Sequence, residues 1–264
     1  MQNKLTYGDL LSPYPIKLTI GILNKPTLKD IAEITFTQYD VYRYYMNLTP
    51  EKYYCEVKEE LGGAEKWESM NDEQKENLTI YKILLEDELL QGTFTSMFNF
   101  FFKEEVIYED GVFLLLADNV KPDEEISIDL LHGYINEQNF NAVLSIIMQI
   151  SCVKKKETES DMKFKNELAR KLYYRMKEAQ KKEEEKANKD FLIPNIISAV
   201  TNKHPSINVI NVWELTVYQL LDIFERLRIN AFYDIQSLGV SVWGDENNKF
   251  KENTWYQNNF DAET

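Results

Sequence analysis

The chain has 264 residues, 44% of them hydrophobic, with only nine Gly and seven Pro. That is enough apolar material for a sizeable core without disulfide staples, and too few turn formers for a sandwich or barrel of many short strands. A formal charge of −14 disfavours nonspecific binding to DNA or to anionic lipid, because the field of the whole molecule repels both. The charge is unevenly spread: residues 154–189 carry 13 Lys+Arg against 8 Asp+Glu, a positive surplus that leaves −19 on the remainder.

In chain order, the first legible element is an alternating strip in which Ile16, Leu18, Ile20 and Ile22 are apolar with Lys17, Thr19 and Gly21 between them. Period two predicts a strand. Pro26 and Thr27 then open a helix whose buried side is Leu28, Ile31, Ile34 and Phe36. Tyr39, Tyr42, Tyr44, Tyr45, Tyr53 and Tyr54 crowd the next stretch. Such density predicts a helix packing large rings on a core, and exposed Tyr there would suit a protein-binding surface. Glu56–Asn77 is polar, broken by Gly62-Gly63 and anchored by Trp67, with a helix cap around Ser69–Asp72. Leu78–Phe102 predicts one helix with Leu85, Leu89, Phe94, Met97, Phe98 and Phe101 on its apolar side.

Two β-prone runs around Asp110-Gly111 predict a hairpin over Val106–Leu116, and Ile126–Leu130 predicts a third short strand. Asn136–Asn139 starts a helix with Phe140, Val143, Leu144, Ile147 and Ile150 inward. Met162–Lys189 is expected as one long charged helix whose apolar residues run out beyond Gln180. Phe191–Asn230 predicts two packed helices: Pro194 in the first turn of one, Asn202 and Pro205 ending it, and Asn211 with Glu214 as a capping-box-like start of the next. Ala231–Leu238 extends or follows that helix. Ser241–Asp245 is expected as a short strand into a turn, and Thr254–Asn259 as a short helix placing Trp255 and Tyr256 on the core.

These elements predict a mainly α (α+β) fold, a helical body with a small β-hairpin or sheet. The expected division is an N-terminal α+β lobe over 1–153, a charged helix and linker over 154–190, and a C-terminal helical lobe over 191–264.

Signatures of chemistry are scarce. His132 and His204 belong to no HxxxH or HxH pattern, and the three-residue spacing of Asp129 and His132 is too little for a metal centre. Neither GxSxG, GxxxxGK[ST] nor GxGxxG occurs. Cys55 and Cys152 lie far apart, and the opening residues lack the basic and apolar regions of a secretory leader, which predicts a reducing compartment. His204, before Pro205, reads as a turn residue or helix C-terminal partner. No apolar run reaches the eighteen residues of a spanning helix. The expectation is a binding protein with no enzyme activity, no cofactor, no metal, no nucleic-acid partner and no membrane insertion. Candidate partner-binding residues are Tyr39, Tyr42 and Tyr45 in the Tyr-rich helix, and Tyr173 and Met176 on the charged helix.

The stretches LSPYPIKLTIGILNKPTLKDIAEITFTQYDVY and NIISAVTNKHPSINVINVWELTVYQLLDIFERL resemble tail-module proteins of phages that infect Gram-positive bacteria, and more loosely phage tail-assembly chaperones. The resemblance implies a role in the host cytoplasm during virion assembly: binding the helical tape-measure protein and passing it to tail-tube subunits. It leaves open a structural place in the virion, as a tail adaptor or baseplate-associated protein. Individual functional residues do not follow from it, nor does the oligomeric state.

Overall fold

A computed structural model describes residues 4–117, 131–154, 191–245 and 249–257. They fall into two compact units, Met1–Lys155 and Lys156–Thr264. The expected strand at Ile126–Leu130 and the expected charged helix at Met162–Lys189 lie outside the described residues.

The first unit opens with α1 (Tyr7–Leu11), started by a reciprocal capping box between Thr6 and Asp9. The alternating strip is a tight hairpin and not one strand: β1 (Ile16–Leu18) turns back at Thr19-Ile20 into β2 (Gly21–Leu23), pairing Ile16 with Leu23 and Leu18 with Gly21. Period-two patterning has no way to mark such a reversal except the Gly. Gly21 has φ +157, and a Cβ on it would stand 2.7 Å from the Leu115 side chain.

α2 (Leu28–Ile34) has its own capping box, Thr27 with Asp30, and buries Leu28 and Ile31. α3 (Phe36–Met46) follows through Thr35 at φ +75. α4 (Pro50–Lys52) runs into a π-helical turn at Tyr53–Val57, then α5 (Gly63–Ser69) and α6 (Asp72–Asn77), the latter capped by Asn71 with Gln74.

The helix expected over Leu78–Phe102 is two: α7 (Ile80–Leu84) and α8 (Glu88–Phe101). Asp87 makes the break, since its Oδ1 accepts the Leu90 N–H at 2.9 Å and starts a new helix. The restart rotates Leu85 and Leu89 outward, to 46% and 57% exposure, while Leu84 and Leu90 are buried.

β3 (Val106–Glu109) and β4 (Val112–Leu116) form the expected hairpin, with Asp110 and Gly111 both at positive φ as a primed turn requires. The described third strand is β5 (Leu131–Ile135), antiparallel to β4. That puts His132 on a strand. α9 (Phe140–Ile150) buries the expected Phe140, Val143, Leu144, Ile147 and Ile150, and Ile146 as well. A helical body with small antiparallel sheets is thus the architecture, as the patterning predicts.

Its core is aromatic. Phe98 of α8 meets Phe113 of β4 edge-on at 4.9 Å, and Phe94 meets Phe140 of α9 at 5.1 Å. All four rings are at most 1% exposed. Tyr81 packs 5.1 Å from Phe140 and donates its hydroxyl to the Gly111 carbonyl at 2.6 Å, tying α7 to the β3–β4 turn.

The β1–β2 hairpin is held to this body by a buried carboxylate. Glu104, 4% exposed, accepts the Ile22 N–H through both oxygens at 3.0 and 2.9 Å, and His132 Nδ1 donates to it at 3.0 Å. The hairpin tip also rests against β5: a Cβ on Gly133 would lie 2.5 Å from the Ile20 carbonyl oxygen.

In the second unit, α10 (Ile193–Lys203) carries Pro194 in its first turn and ends at His204. The His204 Nδ1 accepts the N–H groups of Ser206 and Ile207 at 3.2 and 3.1 Å, the turn role expected of it. Asn211 does not open the next helix. It closes a loop with Asn208 through paired side-chain bonds, and a 3₁₀ turn at Val212–Glu214 intervenes. α11 (Val217–Trp243) starts at Thr216, in a capping box with Gln219. It continues through Ser241–Trp243, where a strand was expected, and stops at Gly244 with φ +77. Thr254–Tyr256 is a single 3₁₀ turn that leaves Trp255 and Tyr256 exposed instead of seated on a core.

Two substitutions probe this packing. Phe98→Ala is expected to cost about 3–5 kcal/mol, seen as a lowered urea midpoint, because it opens a cavity among the rings of Phe94, Phe102, Phe113 and Phe140. Gly133→Ala is expected to cost about 1–3 kcal/mol by the same measurement, since the added carbon meets backbone that has no rotamer to yield.

Candidate functional site

The surface least explained by folding is on α11. At 1.5 Å per residue its 27 residues span about 40 Å, against about 16 Å for the 11 residues of α10. Val217, Leu220, Phe224, Leu227, Ala231, Ile235, Leu238 and Val242 recur at intervals of three and four, so they form one row along the helix. At its start the row is covered: Val217 is 3% and Leu220 0% exposed, and Phe224 meets Phe191 at 6.4 Å. Further on the same row is bare. Ile235 is 71%, Leu238 66% and Val242 61% exposed, and Phe232 and Trp243 broaden the strip.

The tail lies on another side of α11. Tyr233 packs 5.4 Å from Phe250, and Arg226 Nη1 donates to the Gln257 carbonyl at 2.9 Å. Tyr233 and Arg226 point roughly opposite to the row at 100° per residue. The exposed strip amounts to on the order of 600 Å2 of apolar side chain. That is at the top of the range for the largest apolar patch on a monomer, and such patches often serve interaction.

The candidates read from sequence fall elsewhere. Tyr39 and Tyr42 are 1% and 3% exposed and pack on Phe100 at 6.2 and 5.8 Å. Burial pushes the Tyr39 hydroxyl up to about 12. Tyr45 is half-buried, 6.3 Å from Phe94. Tyr173 and Met176 lie outside the described residues. Sequence reasoning missed the bare strip on α11, although its three-to-four spacing is visible: assigning Ser241–Asp245 to a strand cut the row short.

Two clefts in the first unit hold ionisable groups, and in each one of them, Asp87 or Lys25, serves the fold. In a cleft of about 250 Å3 lined by Tyr53, Tyr54, Lys58, Lys66 and Asp87, the Asp87 Oδ2 accepts from Lys58 Nζ at 2.6 Å and from the Tyr53 hydroxyl at 2.5 Å. Burial pushes the Tyr53 hydroxyl well up, and its bond to Asp87 adds to this, so it stays a donor. Burial alone would raise the Asp87 carboxyl; the bonds from Lys58, Tyr53 and the Leu90 N–H outweigh it and leave the pKa lowered.

The other cleft, about 410 Å3, contains Lys25. Its ammonium donates to the carbonyls of Asp9 and Ser12, closing the end of α1, and burial lowers its pKa. Cys55 and Cys152 are half-buried and form no disulfide, and burial raises the Cys55 thiol. Among the described residues no group of three or more His, Cys, Asp or Glu is placed to hold a metal ion, and no helix is long and apolar enough to cross a membrane.

Residues 181–259 match the family model described as YomV second domain, a phage-associated family. The match takes in all of α10 and α11. No curated protein and no solved structure matched the chain. The bare strip therefore belongs to the YomV-like region.

The Asp87 arrangement carries a pH dependence of known sign. With a folded pKa below the unfolded value of about 4, its stabilisation is present above pH ~4 and is lost as the pH falls through the folded value. Urea midpoints measured from pH 6 down to pH 3 are expected to fall less steeply for Asp87→Asn than for the parent chain.

Proposed function

We propose that the protein is a non-enzymatic phage tail-assembly chaperone that binds the tape-measure protein in the host cytoplasm and leaves before the virion is complete. The observation that carries this reading is the bare strip on α11, in a region similar to a phage-associated family. A long amphipathic helix released before its partners are made needs a temporary apolar surface. An exposed row at three-to-four spacing offers one by side-by-side helix packing, the geometry of coiled coils. The acidic body supports this role by keeping a protein with such a surface dispersed.

Co-expression with segments of the tape-measure protein from the same phage, followed by affinity purification, tests the reading. The parent chain is expected to retain a helical tape-measure segment. Ile235→Glu or Leu238→Glu is expected to reduce recovery at least tenfold while leaving the circular dichroism spectrum unchanged. No co-purification with any segment overturns the proposal. Mass spectrometry of purified virions is expected to lack the protein; stoichiometric presence there would make it a tail adaptor or baseplate component instead.

A further inference from the structure

We propose that, without a client, the strip on α11 is covered by a second copy of this chain, with the two α11 helices packed antiparallel about a twofold axis. This concerns the same surface as the chaperone reading and adds how that surface is stored. Three observations point to a second copy as the occupant.

The first is self-complementary relief. Gly239 lies on the strip between larger residues, and a Cβ built on it meets nothing within 4 Å, so it is an open notch. An antiparallel register that sets Ile235 of one copy against Gly239 of the other also sets Phe232 against Val242, and by symmetry each contact is made twice. Leu238 then lies beside the axis, near its counterpart. A parallel pair would set notch against notch and Trp243 against Trp243, leaving a void beside a collision, which close packing disfavours.

Area is the second. About 600 Å2 per copy comes from the apolar strip alone, which is most of the roughly 800 Å2 per partner of a stable interface.

Charge is the third. The same register brings Arg228, at the start of the strip, alongside the Asp245 end of the second copy. Asp245 accepts the N–H groups of Lys249 and Phe250, which fixes a carboxylate there, and Arg228 is exposed, held 2.8 Å from Glu225. Antiparallel pairing also sets the two helix dipoles in their favourable arrangement.

Sedimentation of the full chain over about 1–100 μM tests the pairing. The parent is expected to show a concentration-dependent dimer. Ile235→Glu is expected to weaken it at least tenfold. Gly239→Leu fills the notch and is expected to weaken it similarly, although Leu is the better helix former and helical content should hold or rise. In a chain with Cys55 and Cys152 replaced by Ser, Phe232→Cys mixed with Val242→Cys should form a disulfide between copies, and Phe232→Cys alone should not.

A protein that is monomeric throughout this range overturns the pairing, as does a dimer that Gly239→Leu leaves intact or one that links Phe232→Cys to itself. Client capture measured in parallel keeps the two ideas apart. A monomer that still retains tape-measure segments leaves the chaperone reading standing without the dimer. A dimer of the stated register that retains none supports the pairing and removes the client.

Discussion

Close packing of four phenylalanines, three of their pairs edge-to-face, is the interaction on which the first unit depends. Phe94 and Phe98 come from one helix, Phe113 from a central strand and Phe140 from another helix, so one cluster joins three kinds of element. Rings offset in this way gain both buried area and favourable quadrupole alignment, and the close-packed result leaves little tolerance for a change of shape. The Tyr-rich helix is subordinate to that cluster. Tyr45 reaches it directly, 6.3 Å from Phe94, while Tyr39 and Tyr42 pack on Phe100 beside it and the Tyr42 hydroxyl shares a hydrogen bond with Ser96 at 2.7 Å.

The second unit has the opposite character. α11 is more than twice as long as α10, yet its apolar row continues without change of face. Nothing about solubility or helix propensity asks for Ile, Leu, Val and Trp at those exposed places. Exposed hydrophobes that recur at a helical period are the arrangement that side-by-side packing of a second helix would bury. The chemistry-bearing groups of the first unit lack this excess, since the partners of Asp87, Glu104 and Lys25 account for their burial.

The fold was legible where local chemistry and long-range packing agree. Asp110-Gly111 marks its hairpin because only certain residues accept positive φ, and the α9 face follows from a simple 3.6-residue period. Two of the errors share a cause: side-chain caps that restart or relocate a helix do not disturb hydrophobic periodicity. Asp87 divided one expected helix into α7 and α8, and Thr216 displaced the start assigned to Asn211. The candidate site was half legible. Its residues stand in the row that the sequence displays, but exposure is a property of what covers a residue, and no pattern within α11 states that its neighbour α10 stops after 11 residues.

The Glu104 clamp has a consequence for the time course of folding. It joins Ile22 to a residue 82 positions later, and through His132 to one 28 positions further on. Local helices and the Asp110-Gly111 hairpin close short loops quickly, whereas this junction needs α8 finished and β5 in place. The β1–β2 hairpin thus leaves the ribosome well before α8 and β5, and its buried N–H is partnered only after both. Until then the Ile22 N–H stays in water, and the hairpin is held only by its backbone bonds to Phe101 and Lys103 at the end of α8.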